Sequence, residues 1–165
     1  MILETERLYL RPLNKDDLDT LAKMYSDIEV MRFIGDGRTF NRAQAEKSIY
    51  RWNEYEEQKG YCNWAVVRKD DKAYIGNCGF NRLPDDSDTE ISYLLDEPYW
   101  GKGYASEISK AALDYGFEKL NFNRVVALVY PQNRPSIRVI EKMGMKYEKE
   151  AEYWGVKLLM FAKEK

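Results

Sequence analysis

Leu8 and Leu10 alternate with Arg7, Tyr9 and Arg11, a period of two that predicts a strand over residues 7–11. Behind Asn14, a residue suited to capping, the period lengthens: Leu18, Leu21, Ala22 and Tyr25 share one helical face. "GDG" at Gly35–Gly37 breaks the chain. A longer amphipathic helix is predicted from Arg42 to Lys59, with Ala45, Ile49 and Trp52 on one stripe and Gly60 as its stop. Alternation then returns. Asn63–Arg68 and Tyr74–Phe80 read as a hairpin about "KDDK", and Thr89–Leu95 as a third strand after the turn "LPDDSD". Ile108, Ala111, Ala112 and Tyr115 place a helix over residues 104–119. Arg124–Tyr130 is β-rich, "PQNRPS" interrupts it, and a short helix runs to Met143 and stops at Gly144. Two last strands, 145–152 and 156–162, are joined through Trp154 and Gly155. A helix between Thr89–Leu95 and Arg124–Tyr130 makes those strands parallel neighbours if they share a sheet.

Composition narrows the field. A chain of 165 residues without repeats or a low-complexity linker is expected to form a single domain over 1–165. The net charge of −2 comes without a basic block, so nucleic acid is not an expected partner. No apolar run reaches membrane-spanning length. The opening "MILETERLYLRPL" carries charges where a signal peptide needs an apolar core, and a cytoplasmic protein is expected. Cys62 and Cys78 form no metal-type pair and read as buried thiols. There is no histidine. That removes Ser–His and Cys–His pairs and the common zinc sites, so acid–base chemistry falls to carboxylates, hydroxyls, amines or water, and no metal is expected.

The stretch "PYWGKGYASE", Pro98–Glu107, places two glycines and a lysine between a strand and a helix. It lacks the GxxxxGK[ST] pattern of phosphate-binding NTPase loops. It meets only two of the three glycines of a dinucleotide fingerprint, with no acidic residue about twenty positions on. Backbone N–H groups from Gly101, Lys102, Gly103, Tyr104, Ala105 and Ser106 could converge with the helix dipole on an anion such as a pyrophosphate. The glycines let the backbone come close, and Lys102 adds charge. Those six residues alone favour a glycine-rich turn without a ligand.

The wider context "TEISYLLDEPYWGKGYASE" followed by "NRPSIRVIEKMGM" resembles the GNAT acetyltransferase superfamily. Trp100–Ala105 matches the family's [QR]-x-x-G-x-[GA] loop, with Trp100 in place of Gln or Arg. Asn133, Ser136, Glu141, Lys142, Gly144 and Met145 match its second segment. "ETERLYLRPLNKDDLDTL" is similar to the start of the RimJ/RimL branch, which includes ribosomal-protein N-terminal acetyltransferases. The resemblance implies an α/β fold: a mixed, strongly twisted sheet flanked by helices, with two splayed central parallel strands, Thr89–Leu95 and Arg124–Tyr130, between which acetyl-CoA enters. It implies that the loop amides hold the pyrophosphate and that the backbone at Leu94 and Leu95 pairs with the pantetheine arm.

On that reading the enzyme moves an acetyl group to a primary amine by direct attack. A protein or peptide N-terminal α-amine is the expected acceptor. A polyamine or aminoglycoside, a non-catalytic acyl-CoA module and a dehydrogenase-type nucleotide domain are the rivals. Transfer requires a base for the protonated amine, N–H donors at Leu94 or Leu95 for the oxyanion, and a donor for the leaving thiolate. By resemblance Glu152 leads as base and Glu90 follows. Ser136 takes the acid role, because Ile140 stands where many relatives carry tyrosine. Asn133 is assigned to the pantetheine arm. Arg138 and Lys142 could reach phosphates or be solvated helix charges. Phe33, Tyr50, Trp52 and Trp64 could line the acceptor pocket, with core packing the alternative for Trp52. A homodimer is left open.

Overall fold

The computed structural model describes Met1–Lys165. Eight strands form one sheet in the order β1-β2-β3-β4-β5-β6-β8-β7. They are β1 Leu3–Glu4, β2 Leu8–Arg11, β3 Asn63–Arg68, β4 Tyr74–Arg82, β5 Thr89–Leu95, β6 Arg124–Val129, β7 Lys146–Tyr153 and β8 Val156–Glu164. Five helices accompany them: α1 Leu18–Ser26, α2 Ile28–Met31, α3 Arg42–Lys59, α4 Tyr104–Glu118 and α5 Arg134–Lys142. The two-residue β1 and the single-turn α2 lie below the length at which periodicity speaks.

Helix starts are fixed where the sequence places capping side chains. Asn41 and Gln44 close a reciprocal box at the head of α3. At the other end Gly60 adopts φ 80°, the left-handed stop that a side chain would strain. Asn14 and Asp17 form the same box around the 3-10 turn Lys15–Asp17 that leads into α1. Asp17 is buried there, and Arg11 grips both its oxygens at 2.7 Å. The fork satisfies a carboxylate that would otherwise be costly to enclose. The hairpin turn between β7 and β8 uses Trp154 and Gly155 at φ 54° and 73°, the positive values a two-residue type I′ turn requires.

The sheet is covered unevenly. Ile108, Ala112 and Leu113 of α4 and Ile140 of α5 pack with Ile91, Ala127 and Val129 on one face. Leu21 and Met24 of α1 with Ala45 and Ile49 of α3 pack with Ala65, Tyr74 and Leu94 on the other. A third, small cluster of Leu83, Val126 and Met160 lies on this second face beside β7. Trp64, 1% exposed, stands edge-on to Phe80 and Tyr115 and belongs to the core. Tyr50 is 69% exposed on α3. Core packing, not the wall of an acceptor pocket, is thus the place of Trp64, against the expectation for it. Trp52 packs against Tyr55 and the core, as its stripe implies. No helix is long and apolar enough to cross a membrane.

β5 and β6 are parallel and meet at one bridge, Glu90↔Val126. Beyond it they part. On the opposite edge β5 remains fully laddered to β4, from Arg82↔Thr89 to Gly76↔Leu95. β4 is in turn pressed against β3: a Cβ on Gly79 would come within 2.0 Å of the Cys62 carbonyl oxygen. Backbone cannot yield as a flexible side chain can. Gly79→Ala is therefore expected to cost more than about 2 kcal/mol, read as a clear fall in the thermal midpoint.

Candidate active site

The ladder between β4 and β5 fixes what the open edge of β5 offers. Leu83 donates its N–H to the Asp88 carbonyl at 3.0 Å, and Asp96 donates to Ile75 at 2.9 Å. With unbroken register between these two bonds, alternate residues bond to β4. Glu90, Ser92 and Leu94 therefore turn their peptide groups toward β4. Ile91, Tyr93 and Leu95 turn theirs toward β6, which still pairs beside Ile91 at the Glu90↔Val126 bridge and has left by Tyr93. This corrects the assignment of the exposed backbone to Leu94 and Leu95: Leu95 stays, Tyr93 joins it, and Leu94 is committed to the sheet. The Leu95 carbonyl already accepts a bond from the Trp100 indole N–H at 2.8 Å. Trp100 thus ties the loop to the end of β5, with its ring 46% exposed. The free groups facing the gap are the Tyr93 peptide and the Leu95 N–H.

Immediately after β5, a 3-10 turn, Glu97–Tyr99, carries the chain into the loop. Trp100 N–H bonds to the Glu97 carbonyl, and Glu107 N–H makes the first bond of α4, to Gly103. Between them lie six amides, from Gly101 to Ser106, and none donates to a backbone carbonyl. Gly101 and Gly103 have φ of 71° and 80°. At Gly101 a Cβ would meet nothing within 4 Å, so the space above the loop is open. Six unbonded donors at the head of a 15-residue helix could receive an anion. Lys102 is exposed beside them.

Arg7 holds this loop from below. Its Nη1 donates to the Lys102 carbonyl at 2.9 Å, its Nε to Glu107 Oε2 at 2.7 Å, and its own N–H to Glu107 Oε1 at 2.9 Å. Its guanidinium also lies 4.4 Å from the centroid of the buried Tyr104 ring. Thr5 adds a bond to Glu107 at 2.6 Å.

Across the gap, α5 begins at Asn133, whose side chain accepts a long 3.4 Å bond from the Ser136 N–H. Ser136 shares its helix face with buried Ile140 and Met143, as the spacing predicts. Its hydroxyl is 2.5 Å from that of Tyr93, which reaches over from β5. Burial pushes the Tyr93 phenol up to about 12, so it holds its proton at neutral pH. Tyr93 was not singled out from sequence. The signal was its place two residues before Leu95 on the strand that the resemblance puts beside the thioester. Arg138 and Lys142 are exposed on α5.

The two candidate bases separate sharply. Glu90 is 8% exposed at the last bridge before the strands part. One oxygen accepts a bond from Asn81 Nδ2 at 3.1 Å. Burial outweighs that bond and raises the carboxyl to about 7. Glu152 is exposed on the edge strand β7, opposite Lys157. Its neighbours Ala151 and Tyr153 pack onto the same cluster as Val126, the bridge partner of Glu90. By the pleat, the Glu152 side chain points to the other face of the sheet. Of the two glutamates, Glu90 and not Glu152 is the one that sits where the strands part. Cys62 and Cys78 are buried with their thiols raised by desolvation, which leaves neither as a nucleophile.

On the face that carries Glu90, the loop after α2 closes over the end of β6. Tyr130 donates to the Gly35 carbonyl at 2.5 Å and packs against Phe33. Of the four aromatics considered for the acceptor side, Phe33 is the one the structure brings to the β6 end of the gap.

The family model described as "Acetyltransferase (GNAT) domain" matches residues 7–146. The chain is 35% identical over 147 residues to the "Uncharacterized N-acetyltransferase p20" of Bacillus licheniformis, covering 88% of this chain and 83% of that one. Among solved structures, RimL, a ribosomal α-N-protein acetyltransferase in complex with coenzyme A, superposes with a TM-score of 0.82 at 18% identity, covering 99% and 97% of the two chains. Spermidine N-acetyltransferase from Vibrio cholerae, in complex with CoA and spermine, gives 0.81 at 18%, covering 97% and 96%.

The Glu90 environment yields a direct expectation. A carboxyl-detected NMR titration should place its midpoint near pH 7, well above an ordinary glutamate. Asn81 bonds to the carboxylate and so favours the charged form. Asn81→Ala should therefore move the midpoint further up, and a downward move would show that burial is not the dominant cause.

Proposed function

The chain belongs to the GNAT acetyltransferase family and is an acetyl-CoA-dependent N-acetyltransferase; on that premise we propose that it transfers the acetyl group by direct attack of a single primary amine, a protein or peptide N-terminal α-amine of the RimJ/RimL type. The observation that carries this reading is the alignment of three things along one gap: six unbonded amides, the unpaired backbone of Tyr93 and Leu95, and a buried carboxylate where the gap closes.

Each part has a physical task. The amides from Gly101 to Ser106 bind the diphosphate of the cosubstrate, and the Tyr93 and Leu95 peptides guide its arm into the gap as an added strand would. Glu90, ionised above about pH 7, takes the proton that an α-amine with a pKa near 8 must lose before it attacks. The Leu95 N–H faces the oxygen that becomes negative as nitrogen adds. The new C–N bond then forms at the expense of C–S. The sulfur leaves as a thiolate stabilised by the Ser136 hydroxyl. With Tyr93 donating to Ser136 Oγ, the single serine hydrogen is left free for the sulfur. Asn133, capping α5 through its oxygen, keeps its NH2 for the arm. Arg138 is available to a phosphate from α5.

The preference for one amine over a polycation rests on charge. In the loops around the Glu90 side of the sheet, Asp36 pairs with Arg38, Asp86 with Arg82 and Asp88 with Arg124. Asp85 accepts from Ser87 and Tyr153. No row of unengaged carboxylates is left there to hold a chain of ammonium groups.

Acetyl transfer to a mixed panel of N-terminal peptides, polyamines and aminoglycosides, read by mass shift, tests the acceptor. Peptides should be modified at the α-amine in preference to spermidine; the reverse order would overturn the acceptor class. Glu90→Gln should lower kcat/KM by about 10²–10⁴ and remove an ascending limb near pH 7, while the limb of the amine itself stays. Ser136→Ala and Tyr93→Phe should each lower kcat about tenfold, and the double variant should lose little more than either, as expected for groups acting as a unit.

A further inference from the structure

We propose that Arg7 is a positioning residue for the cosubstrate loop: a guanidinium fork that sets the amides of Gly101–Ser106 in their binding geometry without being replaceable by charge alone. The inference rests on the reading of those amides as the diphosphate site.

The contacts are directional. Arg7 spans the loop and the helix behind it, with Nη1 on the Lys102 carbonyl and Nε on the Glu107 carboxylate. Turning the Lys102 carbonyl down onto the guanidinium leaves the amides on either side of it free to face the other way, in a peptide whose neighbours are both glycines at positive φ. Arg7 also fills the space next to Gly103, where its Nη2 would lie 3.4 Å from a Cβ. The Tyr104 ring forms the floor of the same pocket. A flexible loop of two glycines would otherwise lose conformational freedom when a ligand binds, and that loss would weaken binding.

Glu107 makes the clamp reciprocal. It is held by three donors, Thr5 Oγ1, Arg7 N–H and Arg7 Nε, which together outweigh the upward push of burial and keep its carboxyl below the ordinary range, Thr5 ahead of Arg7. It stands in the first turn of α4, where a carboxylate also satisfies the helix dipole. The segment Thr5–Arg7, between β1 and β2, is itself anchored: Lys69 Nζ donates to the Thr5 carbonyl, and Lys69 N–H to that of Arg7. The N-terminal hairpin thereby serves as a rigid support for a loop far along the chain. Lysine at position 7 would carry the charge but could not make the Nε and Nη1 bonds together.

Calorimetric binding of coenzyme A and of pantetheine, which lacks the diphosphate, separates this role from general stability. Wild type should prefer coenzyme A strongly. Arg7→Ala should reduce that preference about tenfold by weakening coenzyme A and not pantetheine in proportion, and Arg7→Lys should reduce it similarly. Glu107→Ala removes the clamp from the helix side and should act in the same direction, which keeps the test available if an Arg7 variant does not fold. An unchanged preference in folded Arg7→Ala or Glu107→Ala protein would overturn the proposal, as would full rescue by lysine. A wild-type protein that binds the two ligands equally would instead remove the diphosphate reading of the loop.

Discussion

β5 is a strand with one satisfied edge and one open edge. A parallel pair that bonds at Glu90↔Val126 and then separates leaves peptide groups with no partner in the fold, and buried or half-buried peptide groups do not remain without partners cheaply. The protein tolerates this because β4 holds the other edge in continuous register and because Trp100 takes one of the stranded carbonyls. What remains open is directional: donors and an acceptor arranged to receive an extended chain. The loop that follows repeats the theme with six further unbonded amides.

Everything else in the site is placed by that separation. Glu90 is buried because it sits at the vertex where the strands still touch. Burial at the vertex is also what raises its carboxyl into the range useful for taking a proton from an amine near neutral pH. Tyr93 and Ser136 meet because the gap is narrow enough on the helical side for a phenol on one strand to reach the helix that follows the other. On the proposed reading the sheet's two faces divide the work. Loop, α4 and α5 would deal with the cosubstrate on one side. On the other, the loop that Tyr130 fastens at Gly35 and the turn that Tyr153 fastens at Asp85 would frame the approach of the amine.

Much of this was legible in the chain. Period-two and helical spacing located the long elements, because strands half-buried against helices must alternate and amphipathic helices must present a stripe. Two glycines between a strand and a helix marked the loop. What escaped the sequence depends on register or on distance. Pairing parity, which assigns the open backbone to Tyr93 and Leu95 rather than Leu94, is set by bonds at the two ends of the β4–β5 ladder and has no local code. The order of Glu90 and Glu152 turns on burial and on which face a pleated residue occupies. The Arg7–Glu107 contact joins residues 100 positions apart, and a lone arginine in a strand reads as solvated charge. The core position of Trp64 escapes for the same reason: an aromatic side chain does not reveal from sequence whether its neighbours are core or water.

The loop amides can be observed one by one. In an amide-resolved NMR titration of labelled protein, coenzyme A should shift the N–H resonances of Gly101 to Ser106 together, saturating with a single affinity, while pantetheine leaves them in place. Binding of coenzyme A with those six resonances unmoved would show that the diphosphate is held elsewhere, and the assignment of the gap as the path of the thioester would fail with it.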